Sequence, residues 1–437
     1  MSSNNTINKP LSEADPKIYK HITSELKRQR NGLEMIPSES YVSPAVLRAM
    51  GSIFTDKYSE GYPGKRYYGG QENTDKVESL AIERAKKLFG VDHVNVQPYS
   101  GSPANLAVYF ALLNPGDTIM GMDLRHGGHL THGWKVNFSS KYYRSIPYGT
   151  TKNGYIDFDQ VRELAKKERP KLIWAGATAY PRKYDYKAFA EIAKEVGAFF
   201  AADIAHVIGL IIAGVHPSPV GHADVITSTT HKTLRGPRAG IILCNGNQSE
   251  PLKADPEVKK ENIPSLIDRA IFPGLQGGPH EHIIAGIAVA LKEASTEEFK
   301  KGNEMIVKTN KLLAEILLEN DFKLITGGTD NHLILMDVTN KNLTGKEAEE
   351  ALDKIGISVN KNAVPHDPRP PYSPSGIRLG TPCAVIRGMD EEAIKIIGKS
   401  IVETLNNSTS EEIISKNKKI INELCLNFPL YPDRVVE

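Results

Sequence analysis

The sequence predicts an α/β protein with a mainly parallel sheet flanked by helices, followed by a second, smaller α/β domain. Three observations lead to this class. Between about residues 94 and 243, short apolar runs alternate with segments of helical spacing, as in a sheet built from crossover units. Asp203, Thr229 and Lys232 fall where such runs end, and an open α/β sheet gathers its ligands at the carboxyl ends of its strands. From about residue 292 the chain changes to charged, capped helices around short strand runs. A chain of 437 residues is long for one hydrophobic core. The expected division is an N-terminal arm at 1–90, a large domain at 91–291 and a small domain at 292–437.

The elements follow in order. A polar arm leads to a helix at 16–28. The segment Tyr58-Ser-Glu-Gly-Tyr-Pro-Gly-Lys-Arg-Tyr-Tyr-Gly-Gly70 holds four tyrosines and four glycines and has little regular periodicity. Such a segment suits a backbone that approaches a ligand closely, or an interface loop. In 73–89, Val77, Leu80, Ala81, Arg84, Ala85 and Leu88 have helical spacing, and Gly90 ends the helix. A strand at 94–97 then reaches Ser100-Gly-Ser-Pro103. Ser102 is the expected N-cap of a helix at 104–113, with Pro103 in its first turn. A glycine–serine turn at a helix start is either an anion site or a plain cap. A strand at 118–122 runs into His126-Gly-Gly-His-Leu-Thr-His132. No cysteine or carboxylate pattern near this loop completes a metal site, so an imidazole stacked on a flat ligand is the alternative and no metal is expected.

A strand at 171–175 and a helix at 186–196 precede the apolar run that ends at Asp203. The stretch 197–215 has the length of a membrane span, yet Asp203 and His206 in its middle would be costly in lipid. A buried strand and turn fit better, with Asp203 either capping the turn or pairing with a cation. Val225 and Ile226 begin another strand, which leads through hydroxyl residues to His231 and Lys232 before 239–243 resumes. Lys232 by itself is a solvated turn residue or an amine activated by burial and by the nearby Arg235 and Arg238. In the small domain, strands are expected at 331–337 and 357–360, and helices at 344–355, 390–405 and 410–425. Arg378 stands between glycines in Ser375-Gly-Ile-Arg-Leu-Gly-Thr381, placed for a bidentate carboxylate grip or a salt bridge.

Composition narrows the partners. The net charge of +2 gives no basic surface for nucleic acid and no attraction to a membrane. Cys244, Cys383 and Cys425 are widely spaced, which points to a reducing compartment. The polar N-terminus, with Glu13 and Asp15, lacks the pattern of a targeting segment, and a cytoplasmic protein is expected.

A strand-end lysine, a buried aspartate, a helix start for phosphate, a stacking histidine and a carboxylate-gripping arginine together meet the needs of a pyridoxal phosphate enzyme acting on an amino acid. At this level a threonine aldolase or aminotransferase, or a non-catalytic binding protein on the same fold, stays open. The sequence also resembles the serine hydroxymethyltransferase family from about residue 36 to 428. The resemblance is carried by the tyrosine–glycine segment 58–70, Gly127-Gly-His-Leu-Thr-His-Gly133, Thr229-Thr-His-Lys-Thr-Leu234 and Phe272-Pro-Gly-Leu-Gln-Gly-Gly-Pro279.

The resemblance implies fold type I of the pyridoxal phosphate enzymes and the interconversion of L-serine and glycine with tetrahydrofolate as cosubstrate. It implies Lys232 as the cofactor-linked lysine with His231 beside it, Asp203 at the pyridine nitrogen, His129 stacked on the ring and His206 near the phenolic oxygen. Thr178 and Thr229 line the cofactor. Ser100, Gly101 and Ser102 hold its phosphate, with Tyr58, Gly277 and Gly278 lent by a second subunit. Arg378, Ser38 and Tyr68 bind the substrate carboxylate side, joined by His206. Glu60, also lent by the partner, moves protons. Folate contacts Tyr67, Leu124, Gly128, His129, Leu130, Asn362 and Tyr372. The expected assembly is a homodimer with shared sites, or a tetramer, whose N-terminal arm embraces the partner. Two departures from the family pattern stand out: Pro370-Pro-Tyr372 where many bacterial members have Ser-Pro-Phe, and Thr178 in place of a serine.

Overall fold

The computed structural model describes residues 9–246 and 262–431. A seven-stranded sheet forms the centre, in the order His93–Asn95, Gly240–Cys244, Val225–Thr229, Phe199–Asp203, Leu172–Ala175, Thr118–Met122 and Arg144–Tyr148. The five strands from Val225–Thr229 to Arg144–Tyr148 pair in parallel. Gly240–Cys244 runs antiparallel to both of its neighbours. The reason lies in the connection: ten residues after Thr229 are too few for a crossover helix, so the chain can only return antiparallel. The central strands Leu172–Ala175, Val225–Thr229 and Gly240–Cys244 are buried at every residue, which explains their unbroken apolar character. The edge strand Arg144–Tyr148 escaped sequence reading, because it is half-exposed and carries Pro147, tolerable only at an edge.

Helix bounds follow their caps. Asp157, Asp185, Thr344, Asp390 and Ser410 each accept a backbone N–H from the first turn of the helix they precede. One expected cap is corrected. The helix after the glycine–serine turn is Gly101–Leu112, its N-cap residue is Ser100 and Ser102 lies inside it. No side chain caps this helix, so its first N–H groups stay available to an outside acceptor. In the helix Glu72–Phe89, Ala81 and Ala85 are buried as their spacing requires, whereas Leu80 is exposed.

The small domain is built on an antiparallel sheet in the order Lys323–Leu324, Ile334–Asp337, Gly376–Leu379 and Asn360–Asn362. The expected strand at 357–360 is two strands: Ile357–Ser358 pairs in parallel with Leu33–Glu34, and Asn360–Asn362 pairs with Gly376–Leu379. Leu33 and Met35 accordingly join the core of Leu313, Ile334, Ile377 and Ile397, while Ala81 and Ala85 join the core of Phe189, Phe200 and Ile287. The first ninety residues thus divide between the two cores.

Polar contacts close the seam between the two domains beside the strand ends. Asn331 Nδ2 donates to the Tyr180 carbonyl at 3.0 Å and Arg182 Nη1 meets Asp330 at 3.0 Å. Among the described residues, no helix is long and apolar enough to cross a membrane.

Candidate active site

Lys232 follows directly on the strand Val225–Thr229. Its loop is drawn tight by hydrogen bonds from Thr230 N to Ala239 O, 3.1 Å, and from Gly236 N to Thr230 O, 2.7 Å. Little room remains for the lysine to swing to solvent, and it lies half-buried. Burial lowers its pKa, the Asp203 charge opposes the shift, and the Arg378 and Arg238 charges reinforce it, bringing the amine to about 8. The expected contribution of Arg235 is corrected: Arg378, from the small domain, takes that place. One consequence is measurable. The rate at which apoprotein captures pyridoxal phosphate should rise about tenfold per pH unit below 8 and level off above it, since only the neutral amine attacks a carbonyl. A flat profile between pH 6 and 9 would contradict an activated Lys232.

Asp203 ends the neighbouring strand and is the hub of a polar network. Its Oδ2 lies 3.1 Å from His132 Nε2 and accepts from Asn105 Nδ2 at 2.9 Å, and its Oδ1 accepts from Ala205 N at 3.0 Å. Burial disfavours the carboxylate, yet the His132 hydrogen bond and charge, with His129 and Asn105, hold its pKa below the ordinary range. It therefore stays ionised at neutral pH. Asn105 also donates to Thr131 Oγ1, 2.8 Å, and accepts from Thr227 Oγ1, 2.6 Å. Thr131 Oγ1 in turn lies 2.7 Å from His129 Nδ1. Helix, histidine loop and two strand ends are thereby locked together. Burial and the neighbouring His132 push His129 down to about 4, leaving a neutral ring.

This network corrects the expectation that no carboxylate completes the histidine loop. Asp203 arrives from a distant strand, and ligand atoms of His129, His132 and Asp203 lie within 4.8 Å of one another. Asn105 and His132 were missed by sequence reasoning. Asn105 lies one turn beyond the glycine–serine start, on the buried face of its helix, and a polar residue there was the available signal.

Arg378 projects from Gly376–Leu379 and is 5% exposed. It donates through Nε to Asn360 Oδ1, 3.0 Å, through Nη1 to the Thr178 carbonyl, 2.6 Å, and through Nη2 to Ser38 Oγ, 3.0 Å. Burial lowers its pKa to about 10. Among the described residues no carboxylate pairs with it, which removes the salt-bridge alternative. A buried guanidinium without an acid calls for an anionic partner.

Beside Lys232, Thr229 Oγ1, His231 Nδ1 and His206 Nε2 are buried with no partner among the described residues. A Cβ on Gly101 would stand 2.7 Å from Thr229 Cγ2, so the helix start can lie this close to the strand end only as glycine. Burial pushes His231 down to about 3.

A second group forms elsewhere on the same chain. Tyr58 OH lies 3.5 Å from Glu60 Oε1, and its ring meets Tyr68 at a centroid distance of 5.1 Å. A Cβ on Gly277 would lie 3.2 Å from Glu60 Oε1, and one on Gly278 3.6 Å from Tyr58 Cε1. Arg66 steadies Glu60 by donating to the carbonyls on either side, Ser59 at 2.8 Å and Gly61 at 3.0 Å. Arg66 is held in turn by Asp75 and Glu78 at 2.9 and 2.6 Å. Tyr68 was expected beside Ser38 and Arg378. Within one chain its ring packs on Tyr58. Tyr58, Tyr67 and Tyr68 are exposed.

The expected folate contacts come from several elements. Leu124, Gly128 and Leu130 share the histidine loop, where a Cβ on Gly128 would collide with the Met122 carbonyl. Asn362 ends the strand Asn360–Asn362, and Tyr372 is exposed. Tyr67 packs against Phe272 with centroids 5.6 Å apart. These two rings edge a groove of about 1150 Å³ that also includes Lys65, Lys86 and Arg269. Neither Lys232 nor Asp203 lines it.

The family model for serine hydroxymethyltransferase matches residues 11–401. The chain belongs to this family. Its members are fold-type I enzymes that depend on pyridoxal phosphate and use tetrahydrofolate as cosubstrate in serine–glycine interconversion. The residues around Lys232 fit such a cofactor: an uncapped helix start for phosphate, the ionised Asp203 and partnerless polar atoms between them.

Proposed function

We propose that this protein catalyses the reversible conversion of L-serine and tetrahydrofolate to glycine and 5,10-methylenetetrahydrofolate. The observation that carries the reading is Arg378, a buried cation with no acidic partner among the described residues, which perturbs the same amine that Asp203 perturbs. An amino-acid carboxylate supplies the missing charge. Pyridoxal phosphate, when bound, would supply an electron sink for a bond broken at the substrate's α-carbon. Lys232 would hold the cofactor through its amine. Asp203 keeps a proton on the pyridine nitrogen, and His132 and Asn105 keep Asp203 charged and aimed. The neutral His129 ring covers one face of the cofactor. Ser100, Gly101 and Ser102 present hydroxyl and backbone donors to its phosphate, with Thr229 and Thr178 along the wall. Ser38 steadies Arg378.

Glu60 moves protons at the serine hydroxyl or at folate. It acts in trans, because Tyr58, Glu60, Gly277 and Gly278 form one patch rimmed by exposed tyrosines, as a surface does that is lent to a second copy. A homodimer is the smallest active unit in this reading. The buried thiols of Cys244, Cys383 and Cys425 suit a reducing compartment such as the cytoplasm.

A visible spectrum of the purified holoprotein tests the proposal. A bound chromophore should be present, and glycine with tetrahydrofolate should produce a long-wavelength band that glycine alone produces weakly. A colourless protein that gains no band from added pyridoxal phosphate would rule the reading out.

A further inference from the structure

We propose that His332 is a positioning residue that sets the tautomer of His206, so that His206 presents an N–H to the ligand pocket. The inference rests on the pyridoxal phosphate reading above.

His332 lies in the small domain just before the strand Ile334–Asp337, and it is fully buried. Its ring Nε2 is 3.2 Å from Nδ1 of His206, which follows the Asp203 strand in the large domain. The rings are 5.4 Å apart at an interplanar angle of 31°. Both backbones are pinned. Asn331 Oδ1 accepts from Leu333 N at 3.0 Å, and Asn331 Nδ2 ties the loop to the Tyr180 carbonyl. The His206 carbonyl accepts from Thr233 Oγ1 at 3.1 Å, one residue after Lys232.

The two rings are neutral. Burial pushes His332 down to about 3, helped by the Arg378 and Lys232 charges; burial, then Lys232 and Arg378, push His206 well below its ordinary value. A neutral pair in contact shares one proton between the facing nitrogens, so only two arrangements exist. In the first, His332 Nε2–H donates to His206 Nδ1, leaving an N–H at His206 Nε2 and a lone pair at His332 Nδ1. In the second, His206 Nδ1–H donates, leaving a lone pair at His206 Nε2 and an N–H at His332 Nδ1.

Both outer nitrogens are buried without a partner among the described residues, so the choice falls to whichever of them meets a ligand. His206 interacts electrostatically with both Lys232 and His129, the residues that would flank the cofactor, whereas His332 interacts with His216 in place of His129. In the pyridoxal phosphate reading the nitrogen on the cofactor side is therefore His206 Nε2, where an N–H would meet an anionic oxygen of the ligand. A trapped N–H at His332 Nδ1 would be a rare kind of defect, and an unused lone pair is better tolerated. The first arrangement therefore holds in the loaded enzyme, and the small domain dictates the tautomer of a large-domain residue.

The test uses the holoenzyme labelled with ¹⁵N-histidine. The His206 signals, assigned by their loss in His206→Gln, should show a protonated Nε2 and a bare Nδ1. A protonated Nδ1 overturns the proposal. In kinetics, His332→Gln retains a side-chain N–H able to donate to His206 and should keep kcat within about threefold of wild type, whereas His332→Phe should lose about tenfold with KM for serine unchanged. Equal losses in the two variants, or none in His332→Phe, also overturn it. Wild-type protein that holds no pyridoxal phosphate overturns the functional reading and this inference together. An active wild type with an unexpected tautomer or equal losses overturns the inference alone.

Discussion

Lys232→Ala should lower steady-state turnover of serine by about 10⁴-fold or more, the scale on which removal of a covalent-catalysis residue falls. The loss follows from position. The amine sits in a loop closed by Thr230, Gly236 and Ala239, and it feels the charges of both Asp203 and Arg378. Folding should not suffer. A lysine whose pKa falls from 10.5 to about 8 penalises the folded state fully below pH 8, and the penalty fades between pH 8 and 10.5. Alanine removes that penalty at neutral pH, so the variant should be at least as stable as wild-type apoprotein. Borohydride reduction of the wild-type holoenzyme and peptide mapping should place the cofactor on Lys232. Modification of another lysine, or normal turnover in the variant, would remove Lys232 from its role.

Glu60→Gln should reduce folate-dependent serine cleavage by about 10²- to 10⁴-fold, the range of general acid–base catalysis, with cofactor absorbance retained. Arg66 clamps the backbone on both sides of Glu60, and glutamine keeps the shape of the side chain, so the protein should fold. An equal loss of cofactor binding would assign Glu60 a structural part instead. The same variant tests the shared site. When Lys232→Ala and Glu60→Gln chains are co-expressed in equal amounts and assort freely, half the dimers are hybrids. If Glu60 acts in trans, each hybrid has one intact site and total activity returns to about a quarter of wild type. If Glu60 acts within its own chain, both variants stay inactive when mixed.

Much of this was legible in the chain itself. The alternation of buried apolar runs with amphipathic segments determined the parallel sheet, because burial on both faces demands unbroken apolar strands such as Leu172–Ala175. The long motifs around Glu60, His129, Lys232 and Gly277 determined the family. Local chemistry determined that Asp203 and Lys232 stand at strand ends. Element edges were less legible, as Ser100 in place of Ser102 shows, because hydroxyl residues on either side of Gly101 serve equally well as N-caps.

Only the tertiary structure decided the partners of each charged group. Asp203 has its charge held by His132 and Asn105, and Lys232 is perturbed by Arg378 from the other domain. His206 meets His332 across 126 residues of chain, and Tyr68 packs on the ring of Tyr58. The physical reason is common to all four. Hydrophobic periodicity is a property of neighbours in sequence, and it reports which face of an element is buried. Hydrogen bonds and Coulomb interactions inside a protein act over a few ångströms in space, between residues whose spacing along the chain carries no period. The sequence therefore supplied the functional groups, and the packing of one domain against the other chose which of them act on one another.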